Sequence, residues 1–133
     1  MLVIKKEQIE KFIAEDDTQL VRVLRDIIRE AFHEGVAVHS DETLDGMIRI
    51  GVEHARSRGF TMAPDIAAFV AIMFEISPDF DQEEQINAFL KDETFSGSMK
   101  LEQLLGRIQE DTWVKAEEMY DPKAWFPDTE QGA

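Results

Sequence analysis

Cysteine is absent from the 133 residues, which excludes disulfides, thiolate metal sites and a thiol nucleophile. Long apolar runs are missing as well. The most apolar stretch, Ile66 to Phe74, is about half of the roughly 20 residues that a membrane-spanning helix needs, so it reads as a buried helix. Only Leu2, Val3 and Ile4 stand between Met1 and the first charges at Lys5-Lys6, too few for the apolar core of a signal peptide. The expected compartment is therefore the cytoplasm. Basic residues are scarce: 14 Lys and Arg stand against 28 Asp and Glu, for a net charge of −14. Nucleic acid and anionic membranes carry the same sign, so neither is expected as a partner.

Apolar residues make up 44% of the chain and charged residues 32%, the balance of one folded domain rather than of a disordered chain. The acid excess is uneven. Residues 61 to 97 carry Asp65, Glu75, Asp79, Asp81, Glu83, Glu84, Asp92 and Glu93 against Lys91 alone. Such a stretch is either a solvated face or a docking surface for a basic partner.

The apolar spacing predicts an all-α fold, a compact bundle of about five helices. Between Ile4 and His33, Ile9, Phe12, Ile13, Leu20, Leu24, Ile27, Ile28, Ala31 and Phe32 recur at helical steps, with a weak point at Asp16-Asp17 that Thr18 could cap. Ser40 caps a second helix that ends where Arg56 and Arg58 precede Gly59. Its stripe of Met47, Gly51 and Ala55 is narrow enough to let a neighbouring backbone come close. Pro64 opens a third helix, apolar over more than half its circumference and hence central, and Ser77-Pro78 closes it. A short fourth helix is expected over about 81–91. A fifth runs from a Ser98 cap through Met119, with Leu101, Leu104, Leu105 and Ile108 inward. The domain thus covers 1–120, with a short extended segment at Leu2-Val3-Ile4 and an irregular tail over 121–133, where Pro122 and Pro127 forbid a helix of any length. Trp125 and Phe126, between those prolines, either fold back on the bundle or anchor a partner.

No catalytic signature emerges. The Gly-x-Ser-x-Gly turn, the His-Glu-x-x-His zinc pair and a phosphate loop are all missing. Asp79-Phe-Asp81-Gln-Glu83-Glu84 imitates the start of a calcium loop, but Glu84 replaces its glycine and Leu90 its final glutamate. His33, His39 and His54 read as helix-end or surface histidines. Neither a cofactor nor a metal is expected.

The run Ile48-Arg49-Ile50-Gly51-Val52-Glu53-His54-Ala55, then Arg58-Gly59-Phe60-Thr61, Asp65-Ile66, Phe69 to Phe74 and Pro78-Asp79-Phe80-Asp81, resembles small all-α proteins encoded beside bacterial type VI secretion effectors. With Leu2-Val3-Ile4 and the Leu101–Leu105 segment the similarity spans roughly residues 2 to 108. It is a pattern of apolar and glycine positions. What it implies is a non-enzymatic adaptor or co-chaperone that binds an effector or its chaperone. An immunity protein that covers a basic toxin site is the alternative. The residues expected to meet such a partner are Asp79, Asp81, Glu83, Glu84, Trp125 and Phe126. An apolar stripe left uncovered on the first helix or beside the fourth would instead form a homodimer.

Overall fold

The computed structural model describes residues 17–94, 97–119 and 125. Among the described residues seven α-helices follow one another: α1 (Asp17–Ala31), α2 (His33–Val36), α3 (Asp41–Ser57), α4 (Ala63–Glu75), α5 (Glu84–Lys91), α6 (Gly97–Arg107) and α7 (Glu110–Glu118), with a 3₁₀ turn at Phe80–Gln82 before α5. Among the described residues there is no strand. The all-α bundle expected from the sequence is what forms. No helix of the described residues is long and apolar enough to cross a membrane. The extended segment near Leu2, the first-helix residues before Asp17, and the tail apart from Trp125 lie outside the described residues.

The punctuation works as the sequence indicates. Ser40 Oγ accepts the Thr43 amide hydrogen at 3.1 Å and caps α3. At the far end Gly59 takes φ +95°. The amides of Gly59 and Phe60 then reach back to the carbonyls of Arg56 and Ala55, at 2.9 and 3.2 Å. This is the paired closure that a left-handed residue permits, and it turns Phe60 into the core. At α4, Pro64 falls within the first turn, and Met62 takes the cap position.

α4 is the central element. Ile66, Phe69, Val70, Ile72 and Met73 are all buried, and α3, α1 and α6 pack against it. The α3–α4 contact is closest at Gly51, where an added Cβ would stand 3.0 Å from Val70 Cγ2 and 3.4 Å from Met73 Sδ. The narrow stripe predicted on α3 is this contact.

Three expectations need correction. Thr18 does not cap a restart, because it already lies within α1. The fourth helix does not begin at Asp81, because burial of Phe80 and Asp81 draws that stretch into the 3₁₀ turn and the helix starts after Glu83. The single fifth helix is two, broken at Ile108-Gln109. On one straight helix Trp113 would sit roughly 120° around the axis from Leu101. The break re-aims α7, so that Leu101 and Leu104 serve the core beside α4 and α5 while Trp113 meets Phe80, ring centroids 6.2 Å apart.

Two polar ties hold the outer helices. Arg25 pairs with Asp45 at 2.9 Å, and Arg29 reaches Asp41 at 2.8 Å and the His39 carbonyl oxygen at 2.8 Å, joining α1 to α3. Lys100 on α6 donates to the Leu90 carbonyl oxygen at 2.7 Å, satisfying the end of α5.

Gly51→Ala tests the close approach. In an open helix this change gains about 1 kcal/mol. Here the new methyl meets a stiff, fully buried Val70, and overpacking costs about 1–3 kcal/mol. The expected outcome is a lower urea midpoint; a higher midpoint would show that the contact relaxes.

Candidate functional site

The densest group of chemically versatile side chains sits where α3 ends. His54 and Arg58, one helical turn apart, lie on the same face and reach across to the 3₁₀ turn. His54 Nε2 hydrogen-bonds to Asp81 Oδ2, and Arg58 Nε donates to the same oxygen at 2.7 Å. Arg58 Nη2 also donates to the Asp81 backbone carbonyl at 3.0 Å, and its Nη1 to Asn87 Oδ1 on α5 at 3.0 Å. One guanidinium therefore binds the end of α3 to the turn and to the next helix.

The Asp81 side chain is 0% exposed, against 31% for His54 and 15% for Arg58. Its second oxygen, Oδ1, is buried and has no hydrogen-bond partner among the described residues. Burial works to raise the carboxyl pKa, but the hydrogen bonds and positive charges of His54 and Arg58 outweigh it and hold the group below the ordinary carboxylate range. The floor of the cluster is aromatic: Phe69 lies 5.6 Å from the His54 ring and 5.0 Å from Phe80, centroid to centroid.

A histidine oriented by a carboxylate is half of an acid–base arrangement, which still needs a nucleophile within reach of the ring. The neighbouring hydroxyl, Ser57 Oγ, instead donates to the His54 carbonyl oxygen at 2.6 Å. What the geometry does is clamp: two cationic-capable groups from one helix share one buried carboxylate from the following turn. Among the described residues no group of three His, Asp or Glu is placed to hold a metal.

The residues marked in the sequence as partner contacts separate. Asp81 is enclosed in the clamp. Glu83 is buried too, its Oε1 accepting the amide hydrogens of Gln85 and Ile86 at 2.6 and 3.0 Å as the cap of α5. Both are corrected from surface contacts to internal fastenings, since each carboxylate is committed to donors within the bundle. Asp79 is half-buried, its Oδ1 3.0 Å from the Ser77 hydroxyl, while Glu84 is exposed. Trp125 is 3% exposed and packs 4.6 Å from the Phe74 ring, so of the two roles open to it the structure gives it the fold-back. Phe126 lies outside the described residues. Sequence reasoning read His54 and Arg58 only as helix-end residues and passed over Asn87; the available signal was a His and an Arg four apart at a helix end, with an acid flanking a large apolar residue 23 positions after Arg58.

The acid excess reaches the surface elsewhere. Along α5 to α7, Glu84, Asp92, Glu93, Glu102, Glu110, Asp111, Glu117 and Glu118 are exposed, with Lys91, Arg107 and Lys115 as the exposed bases. No family model, no curated protein and no solved structure matches the chain.

Breaking a buried ion pair by removing one partner costs about 3–5 kcal/mol, so Asp81→Asn should lower stability by that order in urea titrations at neutral pH. The pH dependence has a definite sign. The folded-state pKa of Asp81 is depressed, so its contribution is complete above the unfolded value of about 3.9 and is lost as pH falls through the folded value. The gap in urea midpoint between the two chains should therefore narrow below about pH 4; a gap that persists into strong acid contradicts the ion pair.

Proposed function

We propose that the chain is a non-enzymatic, protein-binding accessory factor of the bacterial cytoplasm, an adaptor or co-chaperone for a type VI secretion effector or its chaperone. The observation that carries the protein-binding part is the exposed acid excess over α5 to α7. Complementary charge at a surface speeds encounter with a basic partner and selects against wrong ones. Asp81 and Glu83 add to the formal charge but not to this surface, because the fold encloses them. The His54–Asp81–Arg58 cluster is taken up in holding α3 to the turn, which favours a scaffold over a reacting centre. The type VI assignment is supported by the resemblance of the 48–81 run, whose His54, Arg58 and Asp81 are the clamp residues.

Co-expression of the tagged full chain with a candidate effector and its chaperone tests the reading. A complex should co-purify at low ionic strength and weaken as salt is raised. Failure to bind either protein removes the accessory role. Rescue of growth against a co-expressed toxin, without binding to a chaperone, assigns an immunity role in its place.

A further inference from the structure

Glu110, Trp113, Val114 and Glu117 recur at steps of three and four along α7 and so share one face of it. That face borders a cleft of about 490 Å³ whose other walls include Ile76, after α4, and Ile108, at the break before α7. Val114 is 48% exposed. Glu110 and Glu117 are exposed, and no ion pair engages either among the described residues. No lysine or arginine lines the cleft. Its wall also holds an unanswered donor: Trp113 is 2% exposed, and its buried Nε1–H has no acceptor among the described residues. An unpaired buried N–H is costly, and in native proteins it generally has a partner.

We infer that this cleft receives an arginine-bearing segment of a partner protein. The guanidinium lies between Glu110 and Glu117, the aliphatic stem covers Val114, Ile76 and Ile108, and a backbone carbonyl of the segment accepts from Trp113 Nε1. Arginine suits the site better than lysine, because its planar fork can address two carboxylates while its stem stays on apolar surface. The inference deepens the accessory-factor reading and rests on its protein-binding part.

The test titrates the full, ¹⁵N-labelled chain with a short peptide of alternating arginine and leucine, reading the indole N–H resonance of Trp113, with Trp125→Phe used to assign it. A peptide of alternating glutamate and leucine is the control. Saturable displacement of the Trp113 resonance by the arginine peptide alone is expected. Two exposed ion pairs at about 0.7 kcal/mol each correspond to roughly tenfold in affinity, so Glu110→Gln/Glu117→Gln should weaken binding about tenfold. Glu42→Gln/Glu53→Gln, an equal charge change on exposed positions of α3, should leave it within about twofold. Equal weakening by the two double variants, or a Trp113 resonance that does not move, overturns the site in favour of diffuse attraction to the acidic surface. The two readings fail separately. An effector chaperone that co-purifies equally well with Glu110→Gln/Glu117→Gln removes the cleft and keeps the accessory role, whereas specific peptide binding with no co-purifying chaperone keeps the cleft and removes the secretion assignment.

Discussion

The carboxylate of Asp81 has no exposure to solvent, and the arrangement of the C-terminal half follows from how it is compensated. An isolated buried carboxylate would be costly enough to shift its protonation or unfold its surroundings. Here His54 and Arg58 supply hydrogen bonds and positive charge from the last turn of α3, where the helix dipole itself favours cations. Because Arg58 also holds the Asp81 carbonyl oxygen and Asn87, the 3₁₀ turn and α5 are placed relative to α3 by one side chain. Phe80, the residue just before Asp81, is thereby held in the core.

From Phe80 an aromatic chain spreads the constraint. Phe60, delivered inward by the left-handed turn at Gly59, meets Phe69 at 5.7 Å, Phe69 meets Phe80, and Phe80 meets Trp113. The last contact explains why α6 and α7 are separate helices. α7 must turn to bring Trp113 inward, and that turn opens the cleft beside Ile108. A polar clamp at one end of α3 thus leads, through apolar packing, to the shape of a surface formed by another part of the chain.

Much of the fold was legible in the sequence because its signals are local. Ser40 acts through a hydroxyl on its own next turn, Gly59, Pro64 and Pro78 act through their own backbone, and the apolar steps of α3 and α4 report their buried faces directly. The break at Ile108-Gln109 was not legible, since it answers to Phe80, distant in sequence. Asp81 and Glu83 were misplaced for a related reason: an acid's formal charge says nothing of whether a cation or two free amides await it inside. Glu83 follows the turn and precedes Gln85 and Ile86, so its capping role depends on where that turn ends. The α7 face was equally hidden while Trp113 belonged to an unbroken helix.

Acidic charge in this protein accordingly has two physical roles, one enclosed and fastening, the other exposed and facing outward. The division stands on Asp81 being an obligatory ion-pair partner, and a double-mutant cycle on Arg58→Met and Asp81→Asn measures that directly. Unfolding free energies of the native chain, both single variants and the double variant should give a coupling of about 1–3 kcal/mol, with the double variant more stable than the sum of the singles implies. Additivity within about 0.5 kcal/mol would contradict the clamp and return Asp81 to the same standing as the surface acids.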